Sequence, residues 1–277
     1  MDNETIKEAT KIVWGTNPAG WAYGNGFKKG TKEFFESVLH RRFTQECDWM
    51  DEIVHFDRFK GKKVLEIGCG AGYDAYQFCK HGAHYTGIDI TPDNPIIAKK
   101  HLAFFGYDAQ FLEMDAENVS LQERFDYVFS FGVLHHTPNI LKALQKIHAV
   151  LKDDGEAQII VYHKYSIFYI LNLMVCDWFL RGKFLKMSLK DRLAQIEVTQ
   201  SDAQALVNVY SKKEFHALCK KAGFKIIKTD VRKLTIEDLP EIPLLKYCYR
   251  FIPKRFLYLL SKRWGWYLSV RMVKAKQ

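Results

Sequence analysis

Between residues 63 and 162, short apolar runs bounded by glycine or polar turns alternate with segments carrying an apolar side chain every three or four positions. The runs predict buried strands at 63–67, 84–88, 109–113, 125–130 and 157–162. The longer period predicts helices at 75–81, 95–105 and 139–151, the last with Ile140, Leu144, Ile147 and Leu151 on one face. Asp153-Asp154-Gly155 is expected to turn the chain into the fifth strand. Farther along, Ser211 with Glu214 three residues on is a capping box that starts a helix through Ala222. Gly223 ends it, and 224–231 and 265–273 predict two more strands. Such strand–helix alternation builds an α/β fold, a mostly parallel sheet with helices on both faces.

Two stretches, 163–210 and 232–264, interrupt this rhythm and are rich in aromatic and basic residues. The first 60 residues precede the sheet and predict helices at 31–42 and 46–56. Before them, Gly15, Pro18, Gly24 and Gly26 fix a loop on which Trp14, Trp21 and Tyr23 lie. The organisation expected is an N-terminal helical lid (1–60), a cofactor-binding core (61–162), a cap insertion (163–210), a core continuation (211–231), a second cap insertion (232–264) and a final core strand (265–277).

Composition adds one asymmetry. Of 277 residues, 48% are hydrophobic and 26% charged, which excludes disordered and fibrous classes. The formal charge of +9 is unevenly spread: −1 over residues 1–60, −4 over 61–160 and +14 over 161–277. A basic rear suits an anionic partner, leaving RNA, a membrane surface and an acidic substrate open. The six cysteines form no C-x-x-C pair and no metal-ligand spacing with histidine, so reduced thiols and no metal are expected. The first residues lack the basic and apolar regions of a signal peptide. The most apolar stretch, 165–180, contains Asn172 and Asp177 and falls short of the roughly 20 apolar residues of a span. The expectation is a soluble cytoplasmic protein.

Chemistry concentrates at Val64-Leu65-Glu66-Ile67-Gly68-Cys69-Gly70-Ala71-Gly72. A strand ending in a glycine turn lets the backbone approach a ligand closely, with a helix N-terminus following. Seventeen residues beyond Gly72, Asp89 ends the second strand, where an acid can accept hydrogen bonds from ribose hydroxyls. The spacing is G-x-G-x-G, which leans away from the nicotinamide fingerprint G-x-G-x-x-G.

With these come EMDAENV at 113–119, FDYVFSFGVLHHTPN at 125–139 and LKDDGEAQIIVYH at 151–163, in order. Together they resemble the class I S-adenosylmethionine-dependent methyltransferases, especially the type-11 group containing quinone-biosynthesis and sterol methyltransferases. The resemblance covers about residues 60–162 closely and implies a Rossmann-like sheet of seven strands with helical cap insertions. It implies S-adenosyl-L-methionine as cofactor. Glu66, Gly68 and Gly70 would surround its methionine part, with Cys69 and Gly72 also in the cofactor site, Asp89 would hold the ribose, and Ile90, Asp115 and Ala116 the adenine. Ser130 and Phe131 would close the methionine side.

A sulfonium methyl is already electrophilic, so alignment of the acceptor carries most of the work, about 7–11 kcal/mol. Candidate bases for an acceptor proton are His135, His136 and His163, each following a strand at the ligand edge; a buried imidazole that only shapes the pocket is the alternative. Trp14, Trp21, Tyr23, Tyr162 and Tyr165 are candidate substrate or lid residues, and Arg41 and Arg42 could pair with a carboxylate. The aromatic insert after the fifth strand favours a small apolar or lipid-like acceptor. The basic aromatic run 246–264 reads most simply as helices capping the active site, apolar sides inward and basic sides in water. After that, it suits a membrane interface at the inner surface better than RNA. RNA methylation and a non-catalytic cofactor-binding module stay as alternatives, and the oligomeric state is undetermined.

Overall fold

The computed structural model describes residues 2–16, 18, 20–24, 26–197, 205–240, 242 and 247–276. Seven strands form one sheet in the order β3-β2-β1-β4-β5-β7-β6. They are β1 (Lys63–Ile67), β2 (His84–Asp89), β3 (Gln110–Glu113), β4 (Phe125–Phe131), β5 (Leu151–Tyr162), β6 (Phe224–Arg232) and β7 (Tyr267–Lys274). β1 to β5 run parallel, and β7 is antiparallel to both of its neighbours. This is the α/β, mostly parallel arrangement that the strand–helix alternation predicts, with seven strands as the resemblance implies.

The helices supply the covering layers. α1 (Asn3–Thr16), α2 (Lys32–Arg41) and α3 (Met50–Val54) precede the sheet. α4 (Tyr73–Lys80), α5 (Asp93–Ala103) and α6 (Ile140–Val150) connect its parallel strands. α6 packs Ala143, Leu144 and Ile147, all fully buried, on one face together with Val128, Ile159 and Phe215. The other face of the sheet carries an aromatic layer in which Phe78, Tyr127 and Phe129 meet Phe56 and Phe59 from the N-terminal segment. The first 60 residues are therefore anchored by core burial and do not merely lie over the sheet.

Both interruptions of the alternation are helical. The first holds a wide helix of π type, Phe168–Leu180, and α7 (Leu189–Ala194). Asp177, buried in that wide helix, gathers Arg181, Lys183 and Arg192, which tie the insert together. The chain returns to the sheet where Tyr210 bridges His163, then enters α8 (Lys212–Lys221), capped by Ser211 and Glu214 as the spacing predicts. The second interruption holds α9 (Lys254–Trp264). No helix among the described residues is long and apolar enough to cross a membrane.

Two local expectations change. Asp153-Asp154-Gly155 is not a turn but lies inside β5, where the register with β4 jumps from Phe125↔Leu151 to Tyr127↔Glu156. A bulge absorbs the extra residues, and Gly155 fits because a Cβ there would stand 3.0 Å from the Asp126 carbonyl oxygen. Trp14 lies in the last turns of α1 and not on a loop, because Ile6, Thr10 and Val13 give that segment a helical repeat.

Candidate active site

The glycine turn after β1 is held from below by β2. The amides of Gly68 and Cys69 both donate to the Ile88 carbonyl, at 2.7 and 3.0 Å. Gly68 has φ +76°, and a Cβ on it would fall 2.2 Å from Val133 Cγ2, so no other residue fits. The Gly70 amide donates to Asp89 Oδ2 at 2.9 Å. Asp89 Oδ1 accepts from the Thr91 amide, the Thr91 hydroxyl and Asn94 Nδ2 at 2.9, 2.7 and 3.2 Å. A carboxylate offers about four lone-pair sites. Oδ2 therefore keeps capacity for one more donor.

A cavity opens over this turn at the carboxyl ends of the parallel strands, where α/β sheets place ligands. Its first part, about 130 Å³, is lined by Gly68, Gly70, Asp89, Ile90, Asn94, Met114, Asp115 and Ala116, and is roofed by Lys7, Thr10 and Trp14 of α1. Asn94 is 2% exposed, and its Oδ1 has no hydrogen-bond partner among the described residues. A buried acceptor left open on a ligand cavity wall calls for a ligand donor.

Lys7 latches the roof. Its Nζ lies 2.8 Å from Asp115 Oδ2 and 3.2 Å from Glu117 Oε2, and these two carboxylates hold its pKa above the usual lysine value despite burial. Asp115 also accepts from the Glu117 amide at 2.9 Å and Asn118 Nδ2 at 2.7 Å. Its carboxylate therefore shapes the pocket end as well as facing it.

The second part, about 440 Å³, shares Trp14, Gly68, Gly70, Phe131 and Gly132 with the first. It adds Glu66, Cys69, Trp21, Tyr23, Arg42, Glu46, Tyr73, Asp74, Tyr162 and Tyr267. Tyr85 donates its hydroxyl to Glu66, and burial, followed by the Asp74 charge, pushes the Glu66 carboxyl well above its usual pKa. Arg42 grips Asp74 through two hydrogen bonds of 3.0 and 2.7 Å and lays its guanidinium 5.0 Å from the Phe131 ring centre. Trp21 Nε1, Tyr73 Oη and Glu46 Oε2 are buried without hydrogen-bond partners among the described residues; Glu46 Oε2 stands 4.0 Å from Arg42 Nη1. A third cavity of about 500 Å³ meets this one at Tyr23 and Glu46 and runs beneath α9, along Trp49, Leu234 and Leu257.

The structure separates the candidate residues. Glu66, Gly68, Cys69, Gly70, Asp89, Ile90, Asp115, Ala116 and Phe131 line the two joined cavities, as do Trp14, Trp21, Tyr23 and Tyr162. Gly72 lies behind them at φ +79°, packed on Ala98 of α5, and Ser130 is buried with its hydroxyl on the Ile67 carbonyl at 3.0 Å. Tyr165 is 54% exposed and lines neither part.

Of the three histidines, His136 reaches the cavity wall, where it bonds the Leu206 carbonyl through Nδ1 at 2.6 Å and packs 5.3 Å from Trp14. His135 is fully buried 3.8 Å from the Tyr162 ring, and burial holds it far below its usual pKa. His163 is buried against the Gly265 carbonyl, with its pKa lowered by burial. Among the described residues no three His, Cys, Asp or Glu side chains are grouped to hold a metal. Lys7, Asn94 and Glu46 were not singled out in the sequence: the first pairs with residues more than a hundred positions away, and the other two sit in otherwise ordinary helical segments.

A Rossmann-like sheet with its ligand cavity on the glycine turn defines a nucleotide-cofactor enzyme class. Within that class, residues 38–229 match the family described as "Methyltransferase domain", and the chain belongs to this family. It is 26% identical over 162 residues to a ubiquinone biosynthesis O-methyltransferase of Pseudomonas entomophila, covering 53% of this chain and 68% of that protein. It is 37% identical over 101 residues to one of Actinobacillus pleuropneumoniae, covering 34% and 43%. The chain thus matches between 43% and 68% of the length of these two relatives. Its fold is similar to that of magnesium protoporphyrin IX methyltransferase from Synechocystis PCC 6803 with bound S-adenosylhomocysteine (TM-score 0.60, 13% identity, 98% of this chain and 100% of that one). It is also similar to a Burkholderia thailandensis 1,6-didemethyltoxoflavin-N1-methyltransferase (TM-score 0.56, 18% identity, 100% and 92%).

Proposed function

We propose that the chain transfers the methyl group of S-adenosylmethionine to a small, largely apolar acceptor. The observation that carries this reading is two adjoining cavities that share five wall residues, with a polar atom of Asn94 lacking a hydrogen bond at one end and those of Trp21 and Tyr73 at the other. Asp89 Oδ2 and Asn94 Oδ1 suit the two ribose hydroxyls, and Met114, Asp115 and Ala116 suit the adenine. Gly68, Gly70 and Glu66 suit the methionine part. The cofactor supplies an electrophilic methyl group; the residues around it orient the acceptor and keep water out.

Aromatic side chains at the far end, Trp14, Trp21, Phe131, Tyr162 and Tyr267, favour a flat ring over a charged polymer. The relatives named for ubiquinone biosynthesis support a ring acceptor. If the acceptor atom is a hydroxyl, its proton passes to a nearby base. Glu46 and His136 stand at the cavity and take precedence over His135 and His163 for that role.

Calorimetry with S-adenosylhomocysteine and with NADH, followed by mass spectrometry of a metabolite extract incubated with S-adenosylmethionine, tests the reading. Tight S-adenosylhomocysteine binding and a small metabolite gaining one methyl group are expected. Preferential NADH binding, or methylation of bulk RNA with no small-molecule product, would overturn it.

A further inference from the structure

Between Tyr247 and Trp264 the chain has five basic residues, Arg250, Lys254, Arg255, Lys262 and Arg263, and no acidic one. α9 turns two different faces outward and inward. Leu257 and Ser261, one helical turn apart, are buried at 4% and 2% exposure. Phe256 and Leu259 stand in solvent at 52% and 56%, flanked by exposed Arg255, Lys262 and Arg263. Just before the helix, Tyr247 and Phe251 are 70% and 74% exposed, with the Arg250 guanidinium 5.1 and 4.9 Å from their ring centres.

From this arrangement we infer that the outer face of α9 and the Tyr247–Phe251 turn dock on an anionic lipid surface. Large apolar side chains clustered in water at this density mark a surface that something covers. Basic residues interleaved with them, and able to bury their stems while the charged heads stay wet, match the headgroup region of an anionic bilayer. Charge decides against a second copy of the chain, because two like faces with five cations and no anion repel each other. Shape decides against RNA: Leu259 and Phe256 project from the middle of a helix, and an aliphatic leucine offers no stacking plane to a base.

The inner face of the same helix walls the third cavity, which meets the acceptor end at Tyr23 and Glu46. Docking would therefore bring lipid within one helix width, about 10 Å, of that cavity. An apolar acceptor could then enter without crossing water. This delivery route rests on the proposed methyl transfer; the docking itself does not.

Sedimentation of the full chain with phosphatidylcholine vesicles, with and without phosphatidylglycerol, tests the docking. Binding only to the anionic vesicles, weakened by salt, is expected. A Phe256→Ser, Leu259→Ser variant and an Arg255→Ala, Lys262→Ala, Arg263→Ala variant should each lose at least about tenfold in vesicle binding. S-adenosylhomocysteine affinity and far-ultraviolet circular dichroism should stay unchanged, which separates docking from folding and from the cofactor site. Equal partition onto neutral vesicles, no partition at low salt, or undiminished binding by both variants overturns the inference. So does tighter binding to a single-stranded RNA oligomer than to vesicles, or self-association that disappears with Phe256 and Leu259. Failure to bind S-adenosylhomocysteine with vesicle binding intact would sink the methyl-transfer reading alone.

Discussion

The two ends of the cavity are built on different principles. At the end proposed for adenosine, backbone amides and short polar side chains from adjacent strand ends do the holding: Gly68 and Cys69 donate to Ile88, and Gly70, Thr91 and Asn94 donate to Asp89. At the end proposed for the acceptor, long side chains arrive from widely separated parts of the chain, including Trp21, Arg42, Tyr162 and Tyr267. A fixed ligand permits a site made of main chain, which changes little with surface sequence. A site that selects among acceptors needs side chains that can be exchanged without moving the sheet.

Perturbing each end should therefore have distinct consequences. Asp89→Ala strips one carboxylate of four donors and leaves the Gly70 amide unpaired, and charged hydrogen bonds contribute roughly 1.5–3 kcal/mol each. Calorimetry is expected to show S-adenosylhomocysteine affinity falling about 1,000-fold; a loss under about tenfold would mean that the adenosine end does not depend on this carboxylate.

Acid should act next, on α5 packed behind the glycine turn. His101, fully buried, bonds the Ala71 carbonyl through Nδ1 at 2.8 Å, and burial lowers its pKa from 6.5 to about 4. The unfolded chain then binds more protons than the folded one between these values. Its contribution is complete above pH 6.5 and is lost as pH falls toward 4, on the order of 3 kcal/mol. Urea midpoints at pH 7 and 4.5 measure it, and His101→Gln should flatten the difference.

Gly68→Ala combines a left-handed φ with a Cβ inside Val133. A loss of about 2 kcal/mol in thermal unfolding is expected, together with weaker cofactor binding. Val133→Ala in the same chain should restore part of that loss. The smallest effect belongs to the acceptor end. Tyr23→Phe is expected to raise the acceptor KM about fivefold, roughly 1 kcal/mol, with S-adenosylhomocysteine affinity unchanged. Equal loss of both affinities would erase the distinction between the ends.

The same contrast decided what could be read from the sequence. β1, β4 and the end of β5 announce themselves by dense apolar runs, and the glycine turn and Asp89 by spacing, because the interactions that define them are local or join neighbouring strands. α1 carries a helical repeat, yet Gly15 and Pro18 just beyond it draw attention to a loop. What makes that helix a roof, the Lys7 pair with Asp115 and Glu117, joins residues far apart in the chain. Asn94 shows its role only through an oxygen left open in a cavity. The histidine pair was conspicuous in sequence, but burial and ring packing divide it, with His136 on the wall and His135 beneath Tyr162.

Both inserts leave and rejoin the sheet at nearly a single point. The first is closed where Tyr210 donates to the Tyr162 carbonyl at 2.9 Å and receives the Lys164 amide at 3.0 Å. The second is closed where Arg232 pairs with Tyr267 and the Trp266 amide meets the Lys233 carbonyl at 2.8 Å. With their ends pinned, each behaves like a plug in a socket: doubling the length of such a loop costs only about 0.6 kcal/mol in closure entropy. A lineage can thus exchange the second insert, and with it a wall of the third cavity, while the strands beneath keep their register. Grafting a relative's segment between the second pair of residues is the corresponding route for an engineer to reshape that cavity without touching the sheet.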